Sequence, residues 1–477
     1  MQVLLGENEA IARDYMKHYR SSVLHVLDFK YESVEPFEAG GWPTYVVVDA
    51  QGLIVEHAIG LSDNAKRLRD ALERVAGAPR EEGGAAAAAA LARGIVCKDG
   101  ICYVDAAPGE ERPVREENPE LAAGADGSVW LTYASQVDGD SNIYLRRVND
   151  SEGTAVLAVT RSMGDDYAPD LAVQDDGTVW VTWVSNREGN YDIYARARSG
   201  AKWAKEERIT RSDDDAMSPA IAVDGKDRVW VTYTKWNRKM GPSRDRDIFA
   251  RYRDSSDWSA EILVSPAEPA VEDHSDPDIC ADPSDVDSVW VAWSYDYHPS
   301  LFKQPEDADQ PTIFAARVGS DGVERDSVRL VGTRGESLHA IDLWPSLATD
   351  PDGTVWCAFD AAEWRGGRGA LLSSCDGARF TMAERVVSTR GELHSPRVCI
   401  DAGGTKVIVW TQREEGHWRV LESHDAGEGW TDPRALLESE GDLRSPVMVS
   451  DAEGNFWLAC EEQKGREVRV RVERVEL

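Results

Sequence analysis

Seven recurrences of one strand phrase, a proline marking each, and a period of about fifty residues together predict a mainly β chain: a seven-bladed β-propeller preceded by a small α/β region. The phrase is clearest in Ser218-Pro219-Ala220-Ile221-Ala222-Val223, followed by Val229-Trp230-Val231-Thr232-Tyr233 and Asp247-Ile248-Phe249-Ala250-Arg251. Its marker is Pro119, Pro169, Pro219, Pro277, Pro345, Pro396 and Pro446, in steps of 50, 50, 58, 68, 51 and 50 residues. Propellers host binding proteins and enzymes alike, so the architecture alone names no reaction.

Within each repeat an inner strand follows the proline and a turn with Asp and Gly comes next, as in Asp352-Gly353. A second strand carries a tryptophan (Trp130, Trp180, Trp230, Trp290, Trp356, Trp457), which its recurrence assigns to packing between blades. A third strand and a weaker outer strand complete the unit. The seventh repeat lacks an outer strand, and Glu111-Arg112-Pro113-Val114-Arg115 reads as an outer strand without a repeat. The two segments are expected to complete one blade and close the ring, leaving no open edge. A monomer is expected.

Ahead of the repeats, residues 7–19 place Ile11, Tyr15, Met16 and Tyr19 on one helical face. Gly40-Gly41-Trp42-Pro43-Thr44, a hairpin of Tyr45–Asp49 with Leu53–Val55, Gly60 and a helix from about Asn64 to Val75 follow. This order resembles the C-terminal half of a TlpA/ResA-type thioredoxin-like domain. The resemblance implies that Pro43 matches the family's cis-proline and Gly60 the glycine before its last helix. The family's CxxC has no counterpart, since no cysteine precedes Cys97, so thiol exchange is not expected. Val3-Leu4-Leu5 reads like a strand entered midway, which predicts a start inside a longer, extracytoplasmic product. The expected domains are a partial thioredoxin-like region at 1–79, an Ala/Gly-rich linker at 80–94 and the propeller at 95–477. Cys97 and Cys102 flank a hairpin turn where a local disulfide is conceivable.

The formal charge of −33 argues against nucleic acid, whose phosphates most of the surface would repel. No apolar run is long enough to span a bilayer. Protein, peptide or glycan ligands and cations remain as partners.

Two repeat families are resembled in part. Ser423-His424-Asp425-Ala426-Gly427-Glu428-Gly429-Trp430 fits the Asp-box of sialidase/BNR-repeat proteins, which implies a turn-stabilising role for Asp425 and Trp430. Asn186-Arg187-Glu188-Gly189-Asn190 is similar to the TolB-type repeat.

The links before each proline share one face with the loops between second and third strands. Asp165, Asp215, Asp273, Glu392 and Asp442 stand four residues before their prolines, Asp342 and Glu116 three before. Either this ring of carboxylates meets a cation or basic ligand at the channel mouth, or each accepts backbone N–H bonds in its own turn. His274 and His394 break the symmetry, and with Asp273 they form the candidate site for a divalent metal; no other cofactor is indicated. Arg444, Trp236, Tyr295, Tyr297 and His298 complete the candidate ligand-binding set on that face, the last four on the longest loops. The expected function is recognition through a loop-rich acidic face. One alternative is a sialidase-like hydrolase or a lyase there, for which Arg397, Arg444 and Arg365 would hold a carboxylate beside Tyr295 and Asp273. Another is the client-binding part of an envelope thiol-redox protein.

Overall fold

The computed structural model describes residues 114–477 with breaks at 138–139, 150–154, 163, 237–245, 255–256, 266–271, 298–311, 325–328, 332–342, 363–367, 376, 378–379, 382 and 390; ahead of these it describes six strands. The chain divides into two compact units, Met1–Pro113 and Val114–Leu477.

The first unit's six strands form one sheet in the order Ile54–Ile59, Thr44–Val48, Gln2–Leu5, His25–Asp28, Ile101–Val104, Ile95–Lys98. Gln2–Leu5 runs parallel to His25–Asp28 and antiparallel to Thr44–Val48. The Thr44–Ile59 hairpin falls where the sequence places one. The second hairpin joins this sheet too: Val26 pairs in parallel with Cys102, and Cys97 stands opposite Cys102. Residue 95 therefore belongs with the first unit, not with the repeats, because the edge of His25–Asp28 takes up this hairpin. Pro43, Gly60 and the helices expected at 7–19 and 64–75 lie outside the described residues.

In the second unit each marker proline sits in an inner strand that starts an antiparallel meander. The inner strands are Arg115–Ala123, Asp166–Val173, Asp215–Val223, Glu272–Ala281, Leu343–Thr349, Leu393–Ile400 and Asp442–Ser450. Each touches the next in this order, and the last touches the first. The register explains why a proline recurs. Pairing skips between Tyr167 and Asp170, and at the matching place in every repeat, so the proline's missing N–H falls in a bulge. The residue before it is left-handed each time: Asn118, Ala168, Ser218, Asp276, Trp344, Ser395 and Ser445, with φ from 45 to 53°. For a non-glycine residue that conformation costs about 1–2 kcal/mol.

Alternation along the second strand places its two large side chains on opposite faces. Trp180 packs with Ile221 and Tyr233 of the following repeat, while Trp183 packs with Ile143 and Leu145 of the preceding one. The same division holds around the unit, and the layer of Leu121, Leu131, Val447 and Ala459 joins the seventh repeat to the first. Losing one such buried indole costs about 3–5 kcal/mol.

The indole N–H groups are met from the turn between the inner and second strands. Asp224, Asp350 and Asp451 each accept backbone N–H bonds on one oxygen and, on the other, the N–H of the tryptophan six residues on, at 2.8, 2.8 and 2.9 Å. Gln174 serves Trp180 likewise at 2.7 Å. In the fourth repeat the turn is longer, and Trp290 Nε1 has no partner among the described residues.

The chain's two expected closing segments meet differently from expectation. Arg115 begins the first inner strand instead of an outer strand, and a single parallel bridge joins it to Val468 in Glu467–Val475. Val468 N donates to Val114 O at 2.9 Å, Val470 N to Glu116 Oε2 at 3.0 Å, and Asn118 N to Glu461 Oε1 at 2.9 Å.

Candidate functional site

Four of the residues that follow a marker proline come to a common space. Glu120, Asp170, Asp278 and Arg397, from four different repeats, interact there electrostatically. Arg397 Nη2 donates to Glu120 Oε1 at 3.1 Å. Asp170 Oδ2 accepts the N–H of Ile221 at 2.8 Å, and Asp278 Oδ2 that of Leu347 at 2.7 Å. Each carboxylate thus holds the strand of the next repeat, and Ser346 Oγ accepts from Val398 N at 3.3 Å in the same way. Burial raises the Glu120 and Asp278 carboxyls above the ordinary range, with the Arg397 charge opposing it. Burial, reinforced by Glu120, puts Asp170 well above that range. One guanidinium faces three carboxylates.

The carboxylates expected at the mouth act mostly as acceptors for backbone, and across repeat boundaries instead of within their own turns. Asp165 accepts from Ser141 N at 3.1 Å, Asp215 from Tyr191 N at 2.9 Å, and Asp442 from Trp418 N at 3.1 Å. Each donor opens or adjoins the third strand of the preceding repeat, whose first N–H would otherwise be unpaired. Glu392 is exposed and lies 3.5 Å from Arg413. Asp273 is in an inner strand opposite Asp296; Asp342 and His298 lie outside the described residues. Trp236 ends its strand opposite Asp215, and Tyr297 stands opposite Glu272.

The two histidines take separate places. His274 is 2% exposed; its Nδ1 accepts the Trp293 indole N–H at 2.9 Å, and Tyr295 and Phe314 pack on its ring. His394 lies among Trp344, Trp418 and Arg368. Among the described residues no three His, Cys, Asp or Glu side chains stand together as a metal site. A histidine built into the aromatic core and one bound to a guanidinium do not make the expected ligand pair. The arginines proposed for a carboxylate do not stand together: Arg397 is paired with Glu120, Arg444 lies over Trp418, and Arg365 is outside the described residues. The Asp425 turn is local, its Oδ1 accepting from Gly427 N at 2.8 Å and its backbone bridging Trp430.

What the structure does assemble is an aromatic and cationic surface on repeats five to seven. Trp344 is 40% exposed and meets His394 edge-on, ring centroids 6.2 Å apart. His394 lies 5.4 Å from Trp418, and the Arg444 guanidinium covers that indole at 5.1 Å. Arg368 Nη1 stands 2.9 Å from His394 Nδ1. A guanidinium only donates, so Nδ1 supplies the lone pair and the ring proton sits on Nε2. Burial and the Arg368 charge hold the His394 pKa below its ordinary value, keeping the ring neutral. It can donate a hydrogen bond from Nε2, while its one lone pair is occupied. Sequence reasoning found His394, Asp442 and Arg444 but passed over Trp344 and Trp418. A signal was present: Trp344 occupies a left-handed position filled elsewhere by Asn, Ala, Ser or Asp. A bulky residue held there is strained, and such strain gathers at functional sites.

No known protein family and no curated relative matches this sequence. Solved structures do match its fold. A polysaccharide lyase of the ulvan-lyase family PL25 is 9% identical with a TM-score of 0.53, over 76% of this chain and 94% of the other. A Hadza microbial sialidase is 12% identical with a TM-score of 0.43, over 72% and 76%. A Trypanosoma rangeli sialidase is 10% identical with a TM-score of 0.43, over 68% and 56%. The lyase likeness places the chain among mainly β, propeller-type folds, and at that identity it speaks of fold alone.

Proposed function

We propose that residues 114–477 form a seven-bladed β-propeller whose face at Trp344, His394, Trp418 and Arg444 binds an acidic glycan. The seven-membered cycle of inner strands supports the blade count. The observation that carries the binding role is the exposed, left-handed Trp344 beside His394 and an arginine-covered indole. Aromatic faces suit the C–H faces of pyranose rings. Arg368 is held by the buried Asp360 at 3.3 Å, whereas Arg444, stacked on Trp418 and 3.7 Å from Asp442, is 46% exposed. Arg444 still presents guanidinium N–H groups that suit a carboxylate or sulfate. The ulvan lyase acts on a polysaccharide by its printed description, and one of its structures is bound to a sulfated, uronate-containing saccharide. In that setting Asp165, Asp215, Asp442 and Glu116 hold the scaffold.

Titration calorimetry of the purified chain with uronate-containing and matched neutral oligosaccharides tests this. Binding confined to the acidic set and lost in Trp344→Ala supports it; equal binding of both sets, or of neither, refutes it.

The second reading is catalytic: a lyase or sialidase-like hydrolase on the same face, which the neighbours' activities favour. A His394 base would first have to shed Arg368 from Nδ1, so the geometry favours recognition. Release of an unsaturated product, followed by its ultraviolet absorbance, would reverse that order.

For the first unit we propose a partial thioredoxin-like domain without the CxxC. A parallel strand pair flanked by the antiparallel Thr44–Ile59 hairpin supports it. Service as the client-binding part of a thiol-redox protein depends on that assignment.

A further inference from the structure

A cavity of about 610 Å³ lies between the first and second repeats. Arg161, Arg187, Arg196, Trp203 and Glu206 line it, and its apolar wall includes Val156, which is 49% exposed. On a chain of net charge −33, three guanidiniums around one carboxylate are a local reversal of sign.

Their commitments differ. Arg187 is fully used: Nη1 donates to Glu206 at 2.6 Å, Nη2 to the buried Asp166 at 2.9 Å, and Nε to Ser185 at 2.8 Å. Arg196 spends Nε and Nη1 on the carbonyls of Ala204 and Val159, at 2.9 and 2.6 Å, which leaves its charge nearly uncompensated. Glu206 is 3.9 Å from it, and its guanidinium lies 4.9 Å from the Trp203 ring centroid. Arg161 is exposed and makes no hydrogen bond or ion pair among the described residues. Counting Asp166, three positive charges face two negative ones. One anionic group balances the site.

We infer that this cavity binds a carboxylate carried on a ring. Arg161 and Nη2 of Arg196 supply the donors, and Trp203 with the apolar wall supplies the surface for the ring body. The volume falls within the range of small-ligand sites and suits one or two rings. The site is independent of the Trp344 face, and either can exist without the other.

The test uses the full chain carrying Trp344→Ala, which removes the other face from the measurement. D-glucuronate and benzoate offer a carboxylate on a sugar and on an aromatic ring; glucose offers the ring alone. Calorimetry is expected to show one site for glucuronate, benzoate or both. Arg161→Gln should weaken it about tenfold, the scale of one lost charge-assisted hydrogen bond. Because Arg161 is exposed, the thermal midpoint of that variant should equal its parent's. A site at which glucose competes equally, binding unchanged by Arg161→Gln, or no binding of either carboxylate overturns the inference. If binding instead disappears on Trp344→Ala and survives Arg161→Gln in the unaltered chain, the face holds and the cavity does not.

Discussion

Arg397 and Glu120, 277 residues apart in sequence, are joined by a 3.1 Å charge-assisted hydrogen bond between the sixth and first repeats. Both follow a marker proline, and both share their space with Asp170 and Asp278. Arg397→Met removes the guanidinium that faces these three carboxylates among the described residues. With side chains 33% and 25% exposed, the pair is partly solvated, so the expected loss is roughly 1–3 kcal/mol, below that of a fully buried pair. Urea denaturation measures it. An unchanged midpoint would mean the pair is solvated and idle.

The same cluster sets a pH dependence. Glu120, Asp170 and Asp278 all have folded-state pKa values raised above those of free carboxyls, Asp170 most. The folded state therefore holds protons that the unfolded state has released. Stability from these groups is complete below about pH 4 and falls as pH rises through the raised values. Asp170→Asn, which keeps an acceptor for Ile221 N, should flatten that decline. Urea midpoints from pH 4 to pH 8, within the carboxyl-to-neutral range, check it; parallel curves for parent and variant would refute it.

At the turns, Asp451 accepts from Glu453 N, Asn455 N and the Trp457 indole at once. With Asn455 Nδ2 also donating to it, Asp451→Ala strands four donors and should cost about 2 kcal/mol or more. In a double-mutant cycle with Trp457→Phe the two losses should couple. Strict additivity would show that the indole bond contributes nothing.

Relief of backbone strain gives a gain. Ala168 sits at φ 45° with no side-chain hydrogen bond to favour it, so Ala168→Gly should stabilise by up to about 1 kcal/mol. Ser218→Gly and Ser445→Gly should do less, since short polar side chains tolerate this region better. A lowered melting temperature for Ala168→Gly would contradict the account.

Trp344 should follow the same rule for stability but lose a function with it. Trp344→Gly removes both strain and an exposed ring, so the protein should be as stable as before or more so. Glycan affinity should fall about tenfold or more, as for loss of a well-packed aromatic contact. Melting temperature and calorimetry on one sample separate the two effects.

Local pattern carried most of this in the sequence. Prolines, turn aspartates and paired large residues such as Trp180 and Trp183 have fixed spacing, so strand phase and the packing layers follow from alternation. Relations across a repeat boundary were not legible. Asp215 binds Tyr191 N, and nothing within one fifty-residue unit says which neighbour will stand there. Glu120, Asp170 and Asp278 carry no shared signal with Arg397, which reads from sequence only as an arginine for a carboxylate, because the Pro-following residues differ in type; only the bulge brings them together. The hairpin at 95–104 misled by proximity to the first repeat, whereas short strands pair with whatever edge is open. The cavity at Arg161 depends on which of three arginines already has partners, a matter of side-chain geometry alone.

Because each inner strand touches the next and the seventh touches the first, order along the chain has no privileged starting point in the second unit. A circularly permuted version, with Leu477 joined to Val114 by a linker of about ten residues that runs back along Glu467–Val475 and the backbone opened in the link between the third and fourth repeats, would keep every layer in place. It would exchange only which boundary is sealed by separate strands and which by continuous chain.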